Sequence, residues 1–539
     1  MDSALQQRQS LSPSRWFNTT LVVCTITAII WLLAARVFGP SDAWDQTQPR
    51  TMAYTTDIIA NGRWILPVER GAYPATKPPL YNWLAVPMVK LMGFSSDLAH
   101  KSPSVVSLLL CWLIVVRLGR RLDGDRFGAL GWLAGLMVVA NYSFFKLGYL
   151  ARPDMLLTLW LTLGWVAATT LLLTPDQDLR GRRGFLLRIA FWGAVVLAAL
   201  TKGPPAIVLP FYAFVASRGL RGSFKEARIF GWWWGLPLAV GVFGLWVWGV
   251  YRIDPDHLIH KLWFDEVAGR VTGLGTEGNQ FGPIEFVRRV VHMPTYYLLR
   301  FAPWSVLSIL GMIVIWSRTG GNASAKGSRP RRWTTLGRTG AWLNGAAVFV
   351  VIIIVLFTLS TGKRADYLAA AFVPGALLGG WWVRQLPERF NRAGTLIAQF
   401  GAIVVLATMT VVNQLPLRTD EAPPRFGDAI NDFIHEAEQY LQAQPGPVVF
   451  WAVGETHLQG HLGYSEKAGS AALRARLEAG GPFWLIAGRQ IQLPLTVGDW
   501  LRERRYEVDL SQICRSDELP RANGWPGVVG LYRVEPRTR

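Results

Sequence analysis

Long apolar segments recur along this 539-residue chain and constrain its fold more than any other feature. Runs of about 17 to 22 apolar residues with few charges match the helix length that crosses a hydrocarbon core of about 30 Å. Hydrophobic residues make up 51% of the chain and charged residues only 17%, whereas typical soluble proteins hold about 25% charged residues. The sequence therefore predicts an all-α polytopic membrane bundle.

The spans predicted from these runs number eleven, and the distribution of Lys and Arg orients them. They lie near residues 17–38, 102–118, 128–146, 154–173, 185–201, 204–217, 229–252, 301–317, 341–360, 366–384 and 393–413. Five connecting loops on one side of the predicted bundle are rich in Lys and Arg, and such loops stay in the cytoplasm. We therefore expect a cytoplasmic N-terminus and a C-terminal tail on the outer side of the membrane.

The net charge of +19 follows the same asymmetry. Residues 1–413 hold 41 of the 55 Lys and Arg and 20 of the 36 Asp and Glu, so the positive charge belongs to the membrane part. Basic residues retained in cytoplasmic loops account for such an excess. The charge therefore indicates topology, and we expect no nucleic-acid partner.

The chain divides at a proline-rich boundary marked by Pro416, Pro423 and Pro424. Residues 1–415 form the predicted transmembrane domain, and 416–539 a small soluble α/β domain. In the second part a polar helical pattern over Phe426–Leu441 precedes strand-like pieces near 448–453, 483–487 and 527–534. His457 and His461 have the spacing of a metal pair on one helix, but Gly460 lies between them and argues against a rigid helix.

Two predicted outer loops, residues 39–101 and 253–300, are too long to be simple connections, and long ordered loops usually carry function. Within the first loop, Leu80–Met92 follows Lys77-Pro78-Pro79 and has the pattern of an amphipathic helix. A proline pair suits the start of a helix, and an amphipathic helix of this length suits the membrane surface. We therefore predict an interfacial helix there.

Charged residues on the outer side are informative, because the rule for Lys and Arg does not predict them. The acidic residues include Asp42, Asp45, Asp57, Asp154, Asp265 and Glu266, and the basic residues include Lys77, Arg152, Lys202, Arg270, Lys363 and Arg364. Cations at headgroup depth can hold a lipid-linked phosphate, since one pair about 4 Å apart gains roughly 4 kcal/mol at an effective dielectric of 20. The carboxylates then need another partner, such as an acceptor hydroxyl or amine, a sugar hydroxyl or a metal.

Structural explanations also exist for several of these charges. Asp154 begins a predicted helix, where a negative charge is favourable. Asp57 fits the solvated face of a helix equally well. Lys363 and Arg364 have Asp366 as a neighbouring partner. The residue types alone leave these alternatives open.

The order of the motifs resembles a known family. The motifs are Gly62-Arg63-Trp64-Ile65-Leu66-Pro67, Lys77-Pro78-Pro79-Leu80-Tyr81, Arg152-Pro153-Asp154, Thr201-Lys202-Gly203-Pro204, Glu266 with Arg270, Tyr296-Tyr297 with Pro303-Trp304, and Lys363-Arg364-Ala365-Asp366-Tyr367. This series is similar to that of bacterial aminoarabinose transferases and of their relatives, the polyprenyl-phosphate-mannose protein O-mannosyltransferases. Both are glycosyltransferases of the GT-C class, and the resemblance covers most of residues 40–375.

The resemblance implies an outward-facing active site with a base in the first loop. Asp45 is the nearest match to that base, although strict spacing back from Trp64 leads to Thr47. Asp154 matches a second acidic residue, and Lys77, Lys202 and Arg270 match cationic positions. Where the aminoarabinose transferases carry a Glu and a His that are associated with a metal, this chain has Thr76 and Val267. We therefore predict no zinc and no other cofactor.

The resulting hypothesis is transfer of a sugar, with inversion, from a polyprenyl-phosphate carrier to a periplasmic acceptor such as lipid A or another glycolipid. Asp45 and Asp154 are the predicted catalytic residues. The residues predicted to bind substrate are Lys77, Tyr81, Lys202, Glu266, Arg270, Lys363, Arg364 and Tyr367. In this hypothesis the two tyrosines stack on the sugar or line the lipid channel, although aromatic residues equally form the interfacial belt of any membrane protein.

Three other functions compete with this hypothesis. A protein O-mannosyltransferase-like enzyme would use a polypeptide acceptor. A lipid transporter or flippase would need ionisable groups at mid-membrane and repeated span patterns, and the chain shows few of either. A non-catalytic assembly protein would act through its tail. We expect a monomer.

Overall fold

The structure is a computed structural model. It describes residues 13–42, 47–69, 73–123, 127–268, 283–320, 332–360, 364–414, 426–451, 462, 470–488, 506–516 and 529–536. The chain forms two compact units. Unit 1 comprises Met1–Arg36, Ser104–Tyr149 and Pro153–Met409, and unit 2 comprises Val37–Pro103, Leu150–Arg152 and Thr410–Arg539.

Unit 1 is helical, and some helices at its edges continue into unit 2. In chain order its α-helices are α1 (Pro13–Val37), α4 (Asp97–Asp123), α5 (Ala129–Val139), α6 (Tyr142–Leu147), α7 (Pro153–Leu173), α8 (Asp176–Leu179), α9 (Arg182–Lys202), α10 (Val208–Arg221), α11 (Trp232–Ile253), α12 (Pro283–Arg300), α13 (Trp304–Gly320), α14 (Arg332–Leu359), α15 (Ala369–Arg384) and α16 (Glu388–Gln414). Short 3-10 turns lie at Pro204–Ile207, Phe224–Phe230 and Ala365–Leu368, and a π-helical segment at His257–Ala268.

Seven helices of the described chain are long and apolar enough to cross a membrane, which confirms a polytopic membrane protein. They are Asn18–Val37, Asp97–Asp123, Pro153–Leu173, Arg182–Lys202, Trp232–Ile253, Gly337–Leu359 and Glu388–Asn413. An eighth span exists if the pair Val290–Arg300 and Trp304–Arg318, bent by 114°, counts as one. These eight correspond to eight of the eleven predicted spans.

The other three predicted spans contain helices shorter than a full crossing. The span predicted at 128–146 breaks between α5 and α6, where the Asn141 side chain accepts a hydrogen bond from the Phe144 N–H at 3.1 Å. The spans predicted at 204–217 and 366–384 each begin with a 3-10 turn. Helices α5 and α15 are buried along nearly their whole length, so they belong to the centre of the bundle.

Glycines allow several helices of unit 1 to pack with their backbones in close contact. A Cβ atom on Gly131 would lie 2.2 Å from the Val116 carbonyl oxygen, and one on Gly235 would lie 2.0 Å from Nε1 of Trp192. Such approaches are typical of membrane helices, since small residues let the backbones meet. Large aromatic side chains then fill the remaining space, as where Trp165 stacks on Phe349.

Arg221, the last residue of α10, is buried at the end of unit 1 where α7 finishes. Its guanidinium donates hydrogen bonds to the backbone oxygens of Leu172 and Thr174 at 2.8 and 2.6 Å. It also contacts Asp176 at 2.7 Å and Glu226 at 3.3 Å. Carbonyls at a helix C-terminus have no partners within the helix, so Arg221 satisfies the end of α7.

Unit 2 begins with a helical hairpin. It contains α2 (Thr47–Asn61), the short strands β1 (Val68–Glu69) and β2 (Tyr73–Pro74), and α3 (Leu80–Met92). The bounds of α3 are those predicted from the sequence. Nδ2 of Asn82 donates to the Thr51 carbonyl at 2.7 Å and to Thr55 Oγ1 at 2.9 Å, which joins α3 to α2.

The remainder of unit 2 contains α17 (Phe426–Ala443), β3 (Val448–Trp451), α18 (Ser470–Ala479), β4 (Phe483–Gly488), β5 (Tyr506–Ser516) and β6 (Val529–Pro536). The strands form one sheet in the order β3-β4-β6-β5. Strands β3 and β4 are parallel, and the other two pairs are antiparallel. The predicted helix and three predicted strands are present, while β5 was not predicted. The division of the chain at residue 416 and the periplasmic location of this part stay predictions.

Candidate active site

Asp154 and Lys202 form a buried ion pair at one end of unit 1. Asp154 lies in the first turn of α7, and Lys202 is the last residue of α9. The two helices pack along each other, which brings the Lys202 ammonium onto Oδ1 of Asp154. The two side chains are only 2% and 4% exposed. Because neither charge has ready access to water, each depends on the other for its stabilisation.

Tyr367 covers the ammonium of this pair. It lies on the 3-10 turn Ala365–Leu368, and its ring centroid is 4.3 Å from Nζ of Lys202. The ring also packs on Phe357 at 5.0 Å between centroids. A cation over an aromatic face gains about 2 kcal/mol when both are desolvated. Arg364 comes directly before this turn and is exposed. The structure thus joins three of the predicted site residues: Asp154, Lys202 and Tyr367.

The arrangement gives the two charged groups distinct chemical capacities. A lysine ammonium has three N–H donors, so Lys202 can bind Asp154 and still donate to a second anion such as a phosphate oxygen. An ionised carboxylate accepts hydrogen bonds through two oxygens, so Asp154 can bind Lys202 and also a hydroxyl group. The pair can therefore bind a phosphate and a hydroxyl group close to each other.

Asp57, in unit 2, has a structural environment. Its side chain is fully buried, which differs from the solvated helix face considered from the sequence. It accepts hydrogen bonds from Nδ2 of Asn61 at 2.7 Å, Nη1 of Arg63 at 3.2 Å and the Val68 N–H at 2.9 Å. These contacts fasten the end of α2 to the β1 strand. The carboxylate is engaged on both oxygens.

A second carboxylate of unit 2 is paired in a similar manner. Oε1 of Glu69 lies 3.3 Å from Nε of Arg50, with the Glu69 side chain 5% exposed and the Arg50 side chain 63% exposed. Burial of Tyr54, followed by the negative charge of Glu69, raises the pKa of the Tyr54 phenol above its ordinary value. Tyr54 is therefore a neutral hydrogen-bonding group at any physiological pH.

Lys77 and Tyr81 lie in unit 2 in different environments. Lys77 is half-buried. Tyr81 is 2% exposed, and its hydroxyl lies 3.1 Å from the carbonyl oxygens of both His100 and Leu150. The substrate-binding role predicted for Tyr81 stays a prediction.

The other predicted site residues lie outside the described part of the chain or are described only in part. Asp45, Arg270 and Lys363 fall outside the described residues. Glu266 lies in the π-helical segment, of which only the backbone is described at that position. Their roles stay predictions. Among the described residues no group of three or more His, Cys, Asp or Glu side chains could hold a metal ion, and the prediction of no zinc also stays a prediction.

Sequence reasoning missed a buried cluster around Lys101. The Lys101 side chain is fully buried, and its ammonium lies 2.9 Å from both Asp42 Oδ1 and Asp97 Oδ2. Oδ2 of Asp97 also accepts a hydrogen bond from Ser41 at 2.8 Å. The spacing of Asp97 and Lys101 along one helix was a visible signal, since residues four apart face each other. The third member, Asp42, is 59 positions from Lys101 and gave no such signal.

Comparison with known proteins places this geometry in context. No protein-family model matches the chain. The chain is 24% identical over 381 residues to the undecaprenyl phosphate-alpha-4-amino-4-deoxy-L-arabinose arabinosyl transferase of Erwinia tasmaniensis, covering 68% of this chain and 61% of that protein. It is also 24% identical over 399 residues to the enzyme of the same name from Pectobacterium carotovorum, covering 72% and 64%. The matched region is thus less than two thirds of the length of these relatives.

The crystal structure of ArnT from Cupriavidus metallidurans bound to undecaprenyl phosphate superimposes with a TM-score of 0.61 at 16% identity. The match covers 97% of this chain and 98% of that one. The chain has the fold of ArnT. The apo structure of ArnT from the same organism gives the same TM-score. The predicted resemblance to aminoarabinose transferases is therefore confirmed.

Proposed function

We propose that this protein is an integral membrane glycosyltransferase of the GT-C class. It moves a sugar from a polyprenyl-phosphate carrier of the undecaprenyl type to a periplasmic acceptor, lipid A or another glycolipid. The relatives named as undecaprenyl phosphate-aminoarabinose transferases support this assignment, as does the shared fold with ArnT bound to undecaprenyl phosphate.

The observation that carries the proposal is the buried pair of Asp154 and Lys202 beneath Tyr367. A carboxylate and an ammonium hidden together are costly to desolvate, and replacing such a pair with apolar residues is often neutral or stabilising. Their presence in a helix bundle whose core is mainly apolar is therefore better explained by chemistry than by stability. Intramembrane ionisable residues mark functional sites by default.

The proposed reaction is a single displacement at the anomeric carbon. The acceptor oxygen bonds to that carbon while the bond from the carbon to the phosphate oxygen breaks, so the configuration inverts. The acceptor proton passes to the carboxylate of Asp45, and the carrier leaves as polyprenyl phosphate. Asp154 orients the acceptor or the sugar. Placement and proton transfer by such a carboxylate contribute about 10²- to 10⁴-fold.

Cations stabilise the leaving phosphate as its charge grows, which is usually the largest catalytic contribution. Lys202 fills this role through the donors that Asp154 does not occupy. The further candidates are Lys77, Arg270, Lys363 and Arg364. Glu266 belongs to the acceptor side, since a carboxylate repels the carrier phosphate. Tyr367 keeps the Lys202 ammonium in place and lines the sugar pocket.

The topology proposed with this function has eleven crossings in a bacterial inner membrane. The three shorter helices α5, α10 and α15 complete the eight longer spans. Alternate loops are basic and all fall on one side of the predicted bundle, which supports a cytoplasmic N-terminus, and the same count gives a periplasmic active site and C-terminal domain. We propose that the enzyme acts as a monomer.

A direct test incubates the purified protein in nanodiscs with undecaprenyl-phosphate sugars and measures release of free carrier. Lipid A and an acceptor peptide are supplied in separate arms. We expect release with the lipid acceptor, and a loss of about 10²- to 10⁴-fold in Asp154→Asn and Asp45→Asn. Asp178→Asn removes an exposed acid from the short helix α8 and serves as the matched control.

Each alternative outcome identifies a competing function. Transfer to the peptide alone assigns the protein to the protein O-mannosyltransferase type. Movement of the carrier lipid across the bilayer without carrier release identifies a transporter. Near-native turnover in Asp154→Asn removes that residue from the mechanism.

A further inference from the structure

Gln48 is a fully buried side chain that joins two segments of unit 2. Its Nε2 donates a hydrogen bond to the Asp42 carbonyl oxygen at 2.7 Å, and its Oε1 accepts one from the Ala151 N–H at 2.8 Å. Both ends of the amide are therefore used. A buried amide with both groups satisfied fixes the distance between its partners, because losing either bond leaves a desolvated polar group.

Tyr81 holds the same short segment from another helix. Its hydroxyl contacts the Leu150 carbonyl at 3.1 Å. The segment Leu150–Arg152 thus receives side-chain hydrogen bonds on adjacent residues from α2 and from α3. The segment has irregular backbone, and its one described internal hydrogen bond runs from the Arg152 N–H to the Leu150 carbonyl at 2.8 Å. Side chains of α2 and α3 therefore hold this segment through its backbone.

The segment leads directly into the helix that carries Asp154. Helix α7 begins at Pro153, two residues after Ala151, and Asp154 is the next residue. Pro153 has a fixed φ and no N–H donor, so one of the backbone torsions that join the segment to α7 is restricted. Only Arg152 separates Ala151 from the first residue of α7.

The Lys101 cluster supports the far end of this arrangement. Asp42 accepts the hydrogen bond from Gln48 through its backbone carbonyl. Its side-chain carboxylate lies 2.9 Å from the buried ammonium of Lys101. Asp97 holds the same ammonium at 2.9 Å. Asp42, which binds Gln48, is therefore itself held by an ion pair.

From these contacts we propose that Gln48 and Tyr81 are positioning residues, which fix the Leu150–Ala151 backbone and thereby hold the Asp154 carboxylate in its catalytic orientation. This proposal rests on the proposed function. A misplacement of about 1 Å of a catalytic group costs about 10²-fold in rate. The contribution of both residues should accordingly appear in kcat and leave donor affinity unchanged.

The test compares Gln48→Ala and Tyr81→Phe with the control Thr169→Val. Thr169 lies on the same helix α7, about 22 Å along its axis from Asp154, and its buried hydroxyl contacts that of Tyr212 at 2.7 Å. The control thus removes a buried hydrogen bond without touching the start of α7. The measurements are kcat, KM for the carrier-linked sugar, thermal unfolding and amide hydrogen exchange over residues 150–157.

We expect kcat to fall by about 10- to 100-fold in Gln48→Ala and Tyr81→Phe, with KM for the donor changing by no more than about threefold. Exchange at the first turn of α7 should accelerate in both variants and stay unchanged in Thr169→Val. A control that lowers kcat as much, or variants with wild-type exchange, would overturn the proposal. If wild-type protein transfers no sugar while the exchange pattern appears as expected, the proposed function fails and the contribution of the two residues to backbone position stands.

Discussion

Removal of the Lys202 ammonium tests how strongly the buried Asp154 carboxylate depends on this cation for its stability. Lys202→Met keeps a long apolar side chain against Tyr367 but leaves the Asp154 carboxylate buried without its cation. Breaking a buried pair on one side costs about 3–5 kcal/mol. The side chains are 4% and 2% exposed, so solvent screening does not reduce that cost to the value of about 0–1 kcal/mol that is typical of surface pairs.

The double variant Asp154→Asn/Lys202→Met separates the charge effect from packing. It removes both charges and should recover most of the loss, giving a coupling of about 2–3 kcal/mol in a double-mutant cycle. The free energy of unfolding is measured by SDS titration in mixed micelles. The matched control is Arg392→Met, which breaks a pair with Glu388 whose side chains are 47% and 78% exposed. A coupling below about 0.5 kcal/mol would refute the reasoning, since only exposed pairs couple so weakly.

Three further substitutions test other parts of the structure. Asp57→Ala should lower the free energy of unfolding of the protein by about 1–3 kcal/mol, since the Val68 N–H loses the carboxylate that accepts its hydrogen bond; a loss under about 0.5 kcal/mol by SDS titration would contradict the structural role. Arg221→Lys should destabilise nearly as much as Arg221→Met, because a single ammonium cannot reach the carbonyls and carboxylates that the guanidinium fork bridges; full stability in the lysine variant would show that charge alone suffices. Gly131→Ala should cost at least about 1–3 kcal/mol, since its Cβ would lie 2.2 Å from the Val116 carbonyl oxygen; an unchanged thermal midpoint would contradict that close approach.

Periodicity and charge were sufficient to predict the parts of the fold that depend on local sequence. Helix α3 has the predicted bounds Leu80–Met92 because a proline pair precedes it and Gly93, with φ of 91°, ends it. The break after α5 was not predicted. It depends on Asn141 capping a new helix and on the Trp304 indole N–H, which donates to the Ala140 carbonyl at 2.6 Å. The second partner is 164 positions away.

The candidate site shows the same limit. The topology signal singled out Lys202, since a lysine on the outer side has no local reason to be there. Its partner Asp154 is 48 positions away, and only helix packing brings the two together. For Asp57 the sequence left two environments open, because the Val68 N–H that binds it is positioned by a turn rather than by a helical repeat.

The pairing of Asp154 with Lys202 has a consequence for how the chain enters the bilayer. Helices α7 and α9 run in opposite directions and carry their charges at the same end, joined at the other end by the short α8. Either helix alone would expose the charge of Asp154 or Lys202 to lipid, whereas in the pair each of these charges is neutralised by the other. Insertion of residues 153–202 together as a helical hairpin should therefore be favoured. A translocon that releases the first helix early would release it before the Asp154 carboxylate has paired with Lys202.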